Sequence, residues 1–166
     1  YVGFIRRALK KAGMEQIPVI SLNLGGIETN PGFHMNAELL LRAAIAAHFG
    51  DIFMRCVYRL RPYEATPGSV NEVHRKWLKV VQDFVSAKHV NLLKFHSLCR
   101  AIIRDFDNIP LLDIKKPRVG IVGEIYLKFN SFAHRNIVDW LAEQQIEVEP
   151  PVLTDFFTQA FVNRHA

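Results

Sequence analysis

Residues 39 to 60 read "LLLRAAIAAHFGDIFMRCVYRL", and no other stretch limits the possible folds as strongly. A run of that length, apolar on nearly every side, is either a membrane span or a helix buried in a globular core. Arg42, Asp51 and Arg55 lie inside it, and each is costly at bilayer depth. The run is therefore read as a buried helix, with no membrane partner. Asn36 is placed to cap it and Glu38 falls in its first turn. Gly50 marks a bend or a close approach by a neighbour.

Two more helices follow on the same grounds. "SVNE" at 69 to 72 has the spacing of a capping box, with Ser69 as N-cap and Glu72 at the third helical position. That helix is expected to run to about Ala87. A third covers "NLLKFHSLCRAIIRDFDNI", where Leu92, Phe95, Leu98, Cys99, Ile102 and Phe106 recur at helical spacing. Residues 36–109 thus form a helical segment. Between its first two helices, "RPYE" holds Arg61, Tyr63 and Glu64. It is read as a helix-end salt bridge with a packed tyrosine, and less favourably as an anion site.

The flanks carry a different pattern. Residues 1 to 12 alternate as an amphipathic helix, with Val2, Ile5, Leu9 and Ala12 on one face and Arg6, Arg7, Lys10 and Lys11 on the other. Gly13 ends it. "IPVISLN", 17 to 23, reads as a buried strand, and the glycine-rich "LGGIETNPGF" after it as a loop. Toward the far end, "RVGIVGE" is a strand and "AHRNIVDWLAEQQ" a helix. "IEVEPP" is a short strand, and a last helix begins at Thr154. Strand, helix, strand in that order implies a right-handed crossover and a parallel sheet.

The expected fold is therefore α/β, a parallel sheet of Rossmann or flavodoxin type with a helical segment inserted between strands. Its parts are 1–35 (helix, strand, loop), 36–109 (helices) and 110–166 (a β-α-β-α unit). Three strands make a small sheet, so the sheet is expected to be incomplete. The chain opens on Tyr1 in mid-helix fashion, which suggests a piece of a longer protein.

Open α/β sheets bind ligands at the carboxyl ends of their strands. That rule selects Asn23 at one strand end and Gly123, Glu124 and Asn130 at the other. "VGIVGEIYLKFNSFAH", 119 to 134, supplies the second group. Gly120 and Gly123 are spaced G-x-x-G, which is not a dinucleotide fingerprint, and no G-K-[ST] phosphate loop occurs in the chain. "EIYLKFNS" is read as a loop that walls a ligand. Glu124 is either a structural carboxylate bound to a loop N–H or a functional one. Asn130 is either a plain helix cap or part of that wall.

Other chemistry is thin. The seven histidines are dispersed, with no H-x-x-x-H spacing, and Cys56 and Cys99 sit in apolar helical stretches with no C-x-x-C. No metal site is expected, and the cysteines read as reduced, buried thiols. The net charge of +5 and the pI near 9.4 reflect scattered Lys and Arg with no aromatic interleaving, so no nucleic-acid partner is expected. At 49% hydrophobic and 22% charged, the composition is that of a globular domain, not a disordered one.

Several stretches carry a resemblance: "YVGFIRRALKKAG" with "IPVISLN", "GDIFMRCVYRLRPYE", "PGSVNEVHRKW", and "KPRVGIVGEIYLKFNSFAH" with "DFF" at 155 to 157. Together they resemble the large proteins related to activators of 2-hydroxyacyl-CoA (2-hydroxyglutaryl-CoA) dehydratases, over nearly the whole chain. The resemblance implies a long cytoplasmic parent with ATPase modules of the sugar kinase and actin type. It also implies a dehydratase-like segment, to which this chain would belong. In such systems ATP hydrolysis drives an electron between [4Fe–4S] clusters, and the recipient reduces a thioester so that a 2-hydroxyacyl-CoA loses water. The ATP and cluster sites would lie in the parent, outside this chain, and no catalytic residue carries over. The implied partners are other domains of the parent, a dehydratase partner or an acyl-CoA. Two alternatives stand beside this reading: a domain that binds a CoA ester or another anion at its strand ends, and a helical interaction or dimerisation module at 36–109.

Overall fold

The computed structural model describes residues 1–19, 36–150, 152–155 and 158. They fall into two compact units, Tyr1–Leu41 and Arg42–Ala166.

In the first unit, α1 spans Val2–Lys11. Gly13 ends it at φ 69°. The Met14 N–H bonds to the Leu9 carbonyl at 2.9 Å and the Gly13 N–H to the Lys10 carbonyl at 3.1 Å. This pair of bonds is a Schellman cap, and a residue with no Cβ adopts the left-handed turn without strain. Of the expected strand at 17 to 23, Ile17, Pro18 and Val19 are not in strand conformation; a proline at its second position withholds a ladder donor. The rest of that run, including Asn23, lies outside the described residues, as does the glycine-rich loop.

The long apolar run is helical as expected. Helix α2 spans Ala37–Leu60, and the Asn36 side chain accepts the Leu39 N–H at 2.7 Å. It is not buried on all sides. Ile45, Phe49, Phe53 and Val57 are buried, four residues apart, whereas Leu39, Leu40 and Leu41 are exposed. A single 3-10 turn, Arg61–Tyr63, leads to α3, Ser69–Ser86, and α4, Leu92–Asp107. Val70, Val81, Phe84, Cys99, Ile102, Phe106 and Ile109 close the core over the α2 stripe. Phe49 meets Phe84 and Phe95 edge-on at 6.1 and 5.1 Å, the geometry that ring quadrupoles favour. Asp105 ties α4 to α3 by accepting from Lys76 Nζ at 2.6 Å and Trp77 Nε1 at 2.9 Å.

The cap of α3 departs from the expected capping box. Gly68, at φ 91°, is the N-cap, and Ser69 is already helical. The donors are satisfied by Glu64 instead: its carboxylate accepts the Gly68 N–H at 2.7 Å and the Val70 N–H at 3.0 Å. A carboxylate is the stronger acceptor at a helix N-terminus, and the turn from Tyr63 aims it there. A bridge between Glu64 and Leu111 brings the end of α4 back to this point.

The remaining chain builds a parallel pair of strands, β1, Arg118–Gly120, and β2, Glu147–Glu149, in register Val119 to Val148. Between them lie α5, Ile125–Phe129, and α6, Ile137–Glu143. The strand expected to reach Glu124 stops at Gly120. The expected ligand-walling loop is mostly helix α5. The expected helix from Ala133 begins only at Ile137, because Arg135 and Asn136 both take φ 53°, which no helix accommodates. Val138 and Leu141 of α6 pack on Val148. The architecture among the described residues is thus mixed α/β, mainly helical, with a two-stranded parallel sheet.

Candidate functional site at the strand ends

At the carboxyl end of β1 the chain passes through Ile121 and the almost fully exposed Val122, then turns at Gly123. There φ is 142°, a value that only glycine holds without strain. The turn sets Glu124 at the start of α5, where its carboxylate accepts the Tyr126 N–H at 2.9 Å and the Leu127 N–H at 3.4 Å. Glu124 is exposed, not buried. Asn130 ends α5, and its side-chain oxygen accepts from the Phe132 and Ala133 N–H groups at 3.0 and 3.2 Å. It organises the turn after α5 and does not cap α6. Gly123, Glu124 and Asn130 are therefore brought to one segment, Glu124 as the cap of α5 and Asn130 as the acceptor in the turn after it.

Apolar side chains are left outward around them. Val122 is 90% exposed and Phe132 89%, and Tyr126 and Leu127 are about half exposed. A segment that spends its polar groups on its own backbone and turns large apolar groups to solvent is suited to contact another surface.

Behind the strands lies an ionic cluster that the sequence reading did not single out. Glu147, at the start of β2, is buried to 6% exposure. It accepts from Tyr63 Oη at 2.8 Å and pairs with Arg118 Nε at 3.0 Å and Arg59 Nε at 3.5 Å. Arg59 also reaches Glu149 at 3.9 Å. Arg61 pairs with Asp139 of α6 at 2.6 Å. The "RPYE" turn thus spends all three of its polar side chains on internal partners, as a helix-end lock. The Tyr63 phenol is held above its ordinary range, first by donating to Glu147, then by burial and by the charge of that carboxylate.

Asp51 is the second buried acid, at 4% exposure. Its two oxygens accept the Leu153 and Thr154 N–H groups, each at 2.8 Å. The charge that argued against a membrane span therefore caps the helical turn that begins at Leu153. A lone acid in an apolar run was the available signal, but its partner is over a hundred residues away.

Among the described residues no group of three or more His, Cys, Asp or Glu could hold a metal ion. Burial pushes the Cys56 thiol up to about 11, helped by the charge of Asp107, and burial raises Cys99 too. Both are poor thiolates. No described helix is long and apolar enough to cross a membrane. No family model, curated protein or solved structure matches the chain.

Proposed function

We propose that this chain is a scaffold segment of an ATP-dependent, cytoplasmic iron–sulfur electron-transfer protein of the 2-hydroxyacyl-CoA dehydratase activator type. Its strand-end face is the surface on which another domain of that protein, or the dehydratase partner, closes. The family part of this reading rests on the resemblance of the quoted stretches. The observation that carries the surface part is the strand-end segment itself. Glu124 and Asn130 are committed to backbone N–H groups, and Val122 and Phe132 are almost fully exposed. Buried against a partner, those two side chains alone contribute about 3 to 5 kcal/mol.

The test uses the parent protein, expressed without oxygen. Iron and acid-labile sulfide are counted, and ATP-dependent electron delivery is followed, in wild type and in the Val122→Asp and Phe132→Asp variants. The expected result is cluster iron in all three and electron delivery at least about tenfold lower in the variants, as a buried anchor demands. Absence of iron in the parent removes the electron-transfer reading. Unchanged delivery in both variants removes the docking surface. An acyl-CoA that raises the melting temperature of this chain, with the effect lost in Glu124→Ala, supports the CoA-ester reading in its place.

A further inference from the structure

Helix α6 starts from a turn that the backbone alone disfavours. Arg135 and Asn136 both take φ 53°. In that left-handed region a residue with a Cβ is strained, and it stays there only where its surroundings hold it. Local bonds do so. The His134 N–H bonds to the Asn130 carbonyl at 3.1 Å, and the Asn136 N–H to the Ser131 carbonyl at 2.9 Å. The Ile137 N–H, the first of α6, is shared between the His134 carbonyl at 3.2 Å and the His134 ring, at Nδ1, at 3.2 Å.

Of these acceptors only the imidazole takes a proton near neutrality, ordinarily between about pH 5 and 8. Nδ1 accepts a bond only in the neutral ring, with the proton on Nε2. Once protonated, Nδ1 is a donor set against another donor. A positive charge then also stands at the amino end of α6, where the helix dipole opposes it. The half-buried ring has to turn away from Ile137.

The charged side chains of the surrounding elements are engaged elsewhere. Glu124 caps α5, and Lys128 lies over the Phe129 ring. Asp139 of α6 pairs with Arg61, and Glu147 of β2 with Arg59 and Arg118. Glu143 is at the other end of α6, and Arg135, next in the chain, adds like charge. Among the described residues no acid forms an ion pair with His134.

We infer that His134 is a pH-sensitive catch on α6. In the neutral form its ring holds the first N–H of the helix and the strained turn behind it. On protonation it lets go, the Arg135–Asn136 turn relaxes, and the start of α6 loosens together with the turn that carries Phe132. The bond is thus present at neutral and higher pH and is lost as the pH falls. The device lies in the segment assigned above to docking, but it does not rest on that reading, and its test uses this chain without a partner.

The test is amide exchange by NMR at pH 7.5 and 5.5, with each rate divided by that of an unstructured chain at the same pH. Ile137 donates to His134, and Trp140 donates to the Asn136 carbonyl at 3.1 Å. Protection of both amides is expected to fall about fivefold or more at the lower pH, in step with the titration of the His134 ring resonances, and to fall less at Ile102 of α4. His134→Asn puts an oxygen that takes no proton near the place of Nδ1, and is expected to keep both amides protected at both pH values. His134→Ala is expected to leave them weakly protected at both. Equal protection of wild type at the two pH values overturns the inference, and so does a fall shared equally by Ile102. A fall that persists in His134→Asn, or wild-type protection at pH 7.5 in His134→Ala, overturns it as well.

Discussion

The Tyr63 hydroxyl donates to the Glu147 carboxylate at 2.8 Å across 84 residues of chain, joining the turn after α2 to the start of β2. The same carboxylate holds Arg59 and Arg118. Glu147→Gln is expected to bring the Tyr63 phenol back toward its ordinary value, read as absorbance at 295 nm during an alkaline titration. It also leaves two guanidinium groups without their shared anion. Both are about half exposed, so the loss of stability is expected to be about 1 to 2 kcal/mol, measured by urea denaturation.

Glu64 is the cap of α3. Glu64→Ala is expected to cost about 1 to 2 kcal/mol, and Ser69→Ala only a few tenths, since the Ser69 hydroxyl lies 3.4 Å from the same carboxylate and is no cap. Urea midpoints of the two variants separate a Glu64 cap from a Ser69 capping box. Equal losses would restore the box.

Asp51 is expected to tolerate asparagine better than alanine. Asparagine keeps one acceptor oxygen and alanine keeps none. Asp51→Ala should lose about 2 kcal/mol and speed hydrogen exchange at Leu153 and Thr154, with amides of α4 unaffected.

His74 packs edge-on against Phe53, with ring centroids 4.9 Å apart, and burial holds it below its ordinary 6.5. A histidine with a lowered folded value binds fewer protons folded than unfolded. Its contribution to stability is therefore complete above about pH 6.5 and is lost as the pH falls through the folded value. Urea midpoints between pH 7.5 and 5.5 should fall, and fall less in His74→Phe.

Cys56 should react slowly. Its rise to about 11 from 9.0 leaves roughly 100-fold less thiolate at pH 8 than an ordinary thiol has. Labelling with a disulfide reagent should be at least that much slower in the folded chain than in urea. Fast labelling of the folded chain would contradict the helical core as drawn.

Much of the helical part was legible in the sequence because its signals are local. The stripe on α2, the Gly13 stop and the Asn36 cap each depend on neighbours within a turn or two. The capping box at Ser69 misled for an instructive reason: Glu64 lies outside the four-residue motif and reaches the same donors with a charge. Gly123, Glu124 and Asn130, chosen as a strand-end group, lie in one turn-helix-turn segment. Its texture was not legible. "EIYLKF" has helix formers but spans barely more than one turn, and it is helical with Glu124 as its cap. The cluster around Glu147 was invisible, since no periodicity links Arg59, Tyr63, Arg118 and Glu147.

The long reach of these bonds orders events during synthesis. Helices α2 to α4 assemble from contacts between neighbours in sequence, the kind that forms soonest, and they are synthesised before β2. Until then Arg59 and Tyr63 face water, and so does Asp51 until the residues near Thr154 emerge. The described fold is thus sealed late by two acids: Glu147 arriving on waiting arginines, and the Leu153 and Thr154 N–H groups arriving on a waiting aspartate. A chain released before residue 147 would carry the α2 to α4 core with its charged latch still open.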